Sequence, residues 1–168
     1  MRTLLVAILF TATAFAEDPV GEWRHYAHDR ASTKHSPLDQ INPDNAAELE
    51  VAWRWQPQTP EAAEEAGHRP GQFKTTPLII NGVLYATTSF CEILGLDPAT
   101  GEQLWVYDPK SYDNGRPTNT GFQHRGIEYW TDGTEERLLI ATGGRQLISF
   151  DLNKRAPDPK FGDNGIVD

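Results

Sequence analysis

The sequence predicts an all-β fold of small antiparallel sheets, and three observations carry that expectation. The first is composition. In 168 residues there are 14 Gly, 12 Pro and 5 Trp against 1 Met and 1 Cys, a balance that suits turns and aromatic-packed strands rather than helices. The second is Asn81-Gly82 between Leu78-Ile-Ile80 and Val83-Leu-Tyr-Ala-Thr87, the strongest short-range hairpin signal. The third is a repeat. Leu84-Tyr-Ala-Thr87 matches Leu139-Ile-Ala-Thr142, and Ile93-Leu-Gly-Leu-Asp97 matches Leu147-Ile-Ser-Phe-Asp151, with a slip of one residue between the two blocks. A period of about fifty residues, made of short strands, is that of a β-propeller blade. One blade cannot bury both faces alone. The chain therefore reads as about two blades of a partial propeller, the front part of a longer protein, whose open strand edges would be prone to aggregate in isolation.

The elements follow in order. Glu22 to Pro37 is polar, aromatic and irregular, and its three histidines (His25, His28 and His35) read as surface residues. No amphipathic helix or carboxylate cluster accompanies them to complete a metal site. Asn42-Pro43 leads a short helical turn over Asp44 to Leu49. Val51, Trp53 and Trp55 alternate as on a strand with one buried face. Gln56 to Gln72 is a surface loop with one helical turn at Glu61 to Ala66. The hairpin spans Thr75 to Ser89, and its continuous apolar character predicts cover on both faces.

A third strand is expected over Cys91 to Leu96 and a fourth over Gln103 to Tyr107. Between them, Asp97 can accept from turn N–H groups, Pro98 sets φ, and Gly101 supplies a positive φ. Asp108 to Gly121 is a loop insert, and Phe122 to Trp130 contains one short strand. Asp132-Gly133 and Gly143-Gly144 are turns flanking strands at Leu138 to Thr142 and Gln146 to Asp151. In the second copy Asn153-Lys154-Arg155 stands in place of Ala-Thr-Gly, and Phe161 lies where an aromatic is wanted.

A formal net charge of −9 argues against a nucleic-acid or anionic-membrane surface. Arg2, the apolar run Leu4 to Phe10 and Ala14-Phe15-Ala16 form a secretory signal peptide over residues 1–16, too short to span a bilayer. Residues 17–50 read as an extended N-terminal segment and 51–168 as the blades. Cys91, the only cysteine, has no intrachain partner and reads as an inert core thiol on a strand.

Several stretches together resemble the N-terminal blades of the pyrroloquinoline quinone (PQQ)-dependent dehydrogenases of the glucose and alcohol type. They are Ser36-Pro-Leu-Asp-Gln-Ile-Asn42, Thr76-Pro-Leu78 with Gly82-Val-Leu-Tyr85, Leu96-Asp-Pro-Ala-Thr-Gly101 with Trp105, His124-Arg-Gly126 and Phe161-Gly-Asp-Asn-Gly-Ile-Val167. Asp97, Thr100, Gly101 and Trp105 resemble that family's tryptophan-docking motif, whose ring wedges between blades. The resemblance implies an eight-bladed propeller carrying PQQ and Ca²⁺ on its axis, and oxidation of a sugar, polyol or alcohol hydroxyl in the bacterial periplasm. The electron acceptor, a quinone or a cytochrome, is left open.

The family's catalytic aspartate and Ca²⁺ ligands belong to later blades, so no catalytic and no metal residue is assigned here. Cofactor contact is expected from Arg125, whose planar guanidinium suits a tricarboxylate with vicinal carbonyls. Gly126 would let the backbone approach closely. His124 would line the substrate entrance or sit on the surface. Lys74 stands where many members carry a glutamate and would serve a carboxylate instead. The family's alcohol branch has paired cysteines that Phe122 to Tyr129 lacks, which points to a glucose-dehydrogenase-like type. A non-catalytic propeller scaffold remains the alternative, and the Asp108 to Gly126 insert separates the two, because only a cofactor site needs a reach toward the axis.

Overall fold

A computed structural model of the chain describes residues 19–118 and 120–168. The expected signal peptide lies outside these residues. Two antiparallel sheets dominate, as the repeat predicts. The first is a meander of β2 (Leu78–Ile80), β3 (Val83–Thr87), β4 (Ile93–Leu96) and β5 (Gln103–Tyr107). The β2–β3 turn puts Asn81 at φ 50° and Gly82 at φ 74°, the paired positive values of the hairpin turn that matches strand twist. Its first pair is Ile80 opposite Val83.

The second sheet runs β7 (Glu128–Thr131), β8 (Glu136–Ala141), β9 (Leu147–Asp151) and β10 (Ala156–Pro157). A further short strand, β11 (Ile166–Val167), shares the β9 edge with β10. The fourth strand of the second blade is therefore split in two. The Asp132 turn forms as expected, its carboxylate accepting from the Thr134 and Glu135 N–H groups at 2.8 Å each.

The sheets share one apolar core. Leu78, Ile80, Tyr85 and Ile93 from the first pack with Tyr129, Leu138, Ile140, Ile148 and Phe150 from the second. Trp105 fastens them. Its ring stacks on Phe150 with centroids 5.7 Å apart and 18° between planes, and tilts against Tyr85 at 5.9 Å. The ring covers Gly95, where any Cβ would run into the indole. The tight turn before it is built as its residues dictate. The Asp97 carboxylate accepts from the Ala99 and Thr100 N–H groups at 2.8 Å, and Gly101 closes the turn at φ 73°.

Five expectations need correction. Residues 51–55 form no strand: Val51 is exposed, while the half-buried Trp53 and Trp55 lean on the first sheet instead of entering a ladder. Trp53 Nε1 donates to the Pro98 carbonyl at 3.0 Å and its ring lies over Gly101. Trp55 packs on the Ala86, Leu94 and Leu96 cluster. Cys91 is buried but sits in a turn at φ 66°, with the strand starting at Ile93. That turn is closed by Cys91 N–H to Thr88 O and Thr88 N–H to Glu92 O; burial pushes the thiol pKa up, in keeping with an inert group.

The third correction concerns 122–130, which contains two strands, β6 (His124–Gly126) and β7, separated at Ile127 because Gly126 takes φ 145°. Likewise Phe73–Thr76 is a strand of its own, β1, ended by Pro77, which has no N–H to continue a ladder. Finally, His25 and His28 are half-buried rather than on the surface. His25 Nδ1 meets Glu128 Oε1 at 2.7 Å, and His28 packs edge-on against Trp23, which bridges to Ile79 at the edge of the first sheet. The helical turns fall at Ala46–Glu48 and at α1 (Glu61–Glu65), close to their expected places.

Candidate functional site

The expected site residues gather on one small substructure. β1 and β6 pair in parallel, Phe73 opposite His124 and Thr76 opposite Gly126, with an irregular register between. Two segments far apart in sequence thus run side by side, and only glycine allows their approach. At Gly71 a Cβ would overlap the Phe122 carbonyl oxygen. The insert leading into β6 is anchored by an aromatic cluster of Phe90, Tyr112 and Phe122 with Ala63. Phe90 and Phe122 centroids lie 4.8 Å apart. Tyr112 donates to Asp108 Oδ2 at 2.6 Å, and burial, aided by that carboxylate, raises its hydroxyl pKa.

Strand alternation then sorts the side chains. On β1, Thr75 turns inward and Lys74 outward; on β6, His124 turns inward and Arg125 outward. Lys74 and Arg125 are both exposed and make no hydrogen bond or ion pair among the described residues. Gly126, beside them, has the Thr76 carbonyl oxygen only 3.3 Å from where a Cβ would stand. Two exposed cations thus stand on neighbouring, paired strands of an acidic chain.

His124 is buried, 9 % exposed, and both ring nitrogens are occupied. Nε2 lies 3.1 Å from the Ala141 carbonyl oxygen, an acceptor only, so Nε2 carries the proton. Nδ1 is then the acceptor, 2.8 Å from Thr87 Oγ1 and 3.3 Å from the Gly126 N–H. Thr87 Oγ1 in turn lies 2.7 Å from Thr75 Oγ1. The donors therefore run one way, from Thr75 to Thr87 to His124 to Ala141. Burial holds the imidazole pKa below its ordinary value, which keeps the ring neutral. His124 is neither a surface histidine nor free to offer a ring nitrogen to a ligand.

Sequence reasoning missed Thr75 and Thr87. The available signal was a threonine on each side of the Asn81-Gly82 hairpin, at nearly equal distance from the turn. The expected loops Gln56 to Gln72 and Asp108 to Gly121 also come together. His68, Arg69 and Arg116 line a cleft of about 260 Å³ beside Phe122, with no carboxylate in its lining. Among the described residues no group of three or more His, Cys, Asp or Glu side chains could hold a metal ion.

Two antiparallel sheets of one repeat, fastened by a tryptophan, are blades of a partial β-propeller. Residues 23–168 match the family described as PQQ: Glucose/ethanol/alcohol dehydrogenase, beta-propeller domain, and the chain belongs to that family. It is 38% identical over 126 residues to the dehydrogenase subunit of a quinone-type alcohol dehydrogenase of Gluconobacter oxydans, covering 72% of this chain and 15% of that protein. It is 36% identical over 148 residues to a 1-butanol dehydrogenase (cytochrome c) of Thauera butanivorans, covering 88% of the chain and 19% of the relative.

A quinoprotein glucose dehydrogenase of Gluconobacter oxydans is 29% identical over 167 residues, with 89% and 20% covered. Among solved structures, the quinohemoprotein alcohol dehydrogenase of Comamonas testosteroni superposes with a TM-score of 0.61 at 25% identity, over 77% of this chain and 18% of that one. The chain thus spans a fifth or less of each of these four relatives. Alcohol-oxidising relatives stand at higher identity than the glucose dehydrogenase, so the comparisons give no preference for glucose.

Proposed function

We propose that this chain is part of a periplasmic quinoprotein dehydrogenase that oxidises an alcohol, polyol or sugar hydroxyl, and that Arg125 and Lys74 bind its PQQ. The observation that carries this reading is the pair of exposed, unpartnered cations on β1 and β6. PQQ is a tricarboxylate, and the donor set fits it: a guanidinium offers two parallel N–H groups to a carboxylate, and an ammonium a movable point charge to another. Gly126 leaves room for the cofactor edge against the backbone. When bound, PQQ supplies the two-electron acceptor for the hydroxyl.

The chain's own share of the work is binding and orientation. Arg125 fixes the carboxylate geometry and never loses its charge. Lys74 adds the second contact, to a carboxylate of the ligand, where many relatives of the resembled family present a glutamate. Ca²⁺ is the metal that the resemblance implies, and among the described residues no group of three or more His, Cys, Asp or Glu side chains could hold it. The leader over residues 1–16 supports export. No helix among the described residues is long and apolar enough to cross a membrane. The relatives' names include both quinone and cytochrome c, and either class of acceptor fits this reading. The lack of paired cysteines in 122–129 favours a sugar or polyol over a simple alcohol.

The test is dye-linked turnover of the full reading frame, reconstituted with PQQ and Ca²⁺, on glucose, glycerol, ethanol and 1-butanol. Quinone-dependent oxidation of at least one is expected, with Arg125→Ala lowering kcat/KM by about 100-fold at limiting PQQ. Turnover that ignores PQQ, or an Arg125→Ala enzyme equal to wild type, would overturn the proposal.

A further inference from the structure

We infer that His124 is the positioning residue that holds both cofactor-facing cations in place, acting through the hydroxyls of Thr87 and Thr75. The inference rests on the proposed PQQ site and concerns how that site is kept rigid. Lys74 and Arg125 are each one residue along from a member of the buried chain of hydrogen bonds: Lys74 adjoins Thr75, and Arg125 adjoins His124. Their side chains leave the opposite face of the same short strands. Nothing on that outer face restrains them, since neither has a partner there among the described residues. Among the described residues, the β1–β6 pairing and the contacts of the inner face are what brace the two cations.

The brace reaches across the whole unit. Thr87 closes β3 in the first sheet, and Ala141 closes β8 in the second. These are neighbouring positions of the repeat, where Ala86-Thr87 corresponds to Ala141-Thr142. One imidazole therefore bonds the matching strand ends of two adjacent blades while sitting on β6 itself. Its third contact, from the Gly126 N–H, fixes the residue on the far side of Arg125. Arg125 is thus held at the residue before it and at the residue after it.

The polarity of the chain makes this specific rather than a matter of filling space. Ala141 can only accept, so His124 must donate there and accept from Thr87. A side chain of equal bulk without that donor and acceptor leaves the fully buried Thr87 hydroxyl with Thr75 alone and breaks the link to β6 and to the Gly126 N–H. β6 is three residues long and, among the described residues, pairs with the four-residue β1 alone. It has no wider ladder to keep its register once the imidazole is gone.

The test is titration of PQQ into the full reading frame, following cofactor absorbance, for wild type, His124→Leu, His124→Gln and Thr87→Val. Loss of the buried bonds in His124→Leu and Thr87→Val is expected to weaken PQQ binding about ten-fold, chiefly through faster dissociation. Glutamine, which carries a donor and an acceptor, is expected to restore affinity to within about three-fold of wild type. Two controls separate positioning from general destabilisation. Ile148→Val, in the shared core away from β6, is expected to lower the Tm with PQQ affinity unchanged. Thr75→Val, which severs only the outer link and leaves the imidazole contacts whole, keeps the inference testable should His124→Leu fail to fold, and is expected to weaken binding about three-fold.

Wild-type affinity in Thr87→Val and Thr75→Val, or equal losses in Ile148→Val, would overturn the positioning role while leaving the cofactor site standing. Absence of any saturable PQQ binding by wild type would overturn the site itself, and this inference with it.

Discussion

The two blades carry the same repeat and solve its fourth strand differently. In the first, Gly95 on β4 leaves space that the Trp105 ring fills from β5. In the second, Ser149 occupies the corresponding place on β9, and no tryptophan covers it. The outer strand is split into β10 and β11, and the residues flanking them frame Ser149: its N–H donates to the Gly165 carbonyl, and its own carbonyl accepts from the Asp158 N–H. The Ser149 hydroxyl is fully buried with no partner among the described residues. The turns differ in the same way. Gly101 takes its positive φ under the Trp53 ring, whereas Arg155 takes the equivalent conformation at φ 53°. No indole presses on that turn, so a side chain is tolerated, and its guanidinium reaches over Trp105 at 5.8 Å. A docking motif is thus a set of coupled choices. The glycines are needed where indoles land, and are dispensable where they do not.

That comparison can be broken in graded steps. Gly95→Val has the largest expected effect, because its side chain must expel Trp105 and so uncover Phe150 and Tyr85. A loss of about 3 kcal/mol in a urea titration is expected. Ser149→Ala is the matched substitution on the second blade and removes only an unpaired hydroxyl. It is expected to leave stability within about 1 kcal/mol of wild type, on the stabilising side. A large loss there would mean that the two positions are not equivalent.

The seam between the blades gives the smallest effect and a pH signature. Burial holds His124 below its ordinary value of 6.5, so the unfolded chain takes up this proton first as pH falls. The contribution is full above about pH 6.5 and declines as pH drops below it. His124→Gln is expected to flatten that part of the stability profile.

Much of this was legible in the sequence, for reasons that differ by residue. Asn81-Gly82 and Asp97 to Gly101 encode their turns locally, so those hairpins needed no tertiary information. The repeat placed β3, β4, β8 and β9, and the substitution of Asn153-Lys154-Arg155 flagged the irregular second blade. Val51, Trp53 and Trp55 misled because alternation reports which side chains share a face, not whether a neighbouring strand offers backbone partners. β1 and β6 were hidden because their pairing is parallel and joins residues about fifty apart, which no local pattern announces. Lys74 and Arg125 could be nominated from motif context, but only the parallel pair puts them on adjacent strands. The role of His124 depends on Thr87 and on the backbone of Ala141, and a carbonyl oxygen leaves no mark in a sequence.

The central claim is that the β1–β6 rim receives the carboxylates of PQQ through Arg125 and Lys74. The most direct measurement is the PQQ binding isotherm of the full reading frame beside its Arg125→Ala variant, both checked for native circular dichroism. The account expects saturable one-to-one binding by wild type and an affinity at least about ten-fold weaker in the variant. Superimposable isotherms from two folded proteins would contradict it.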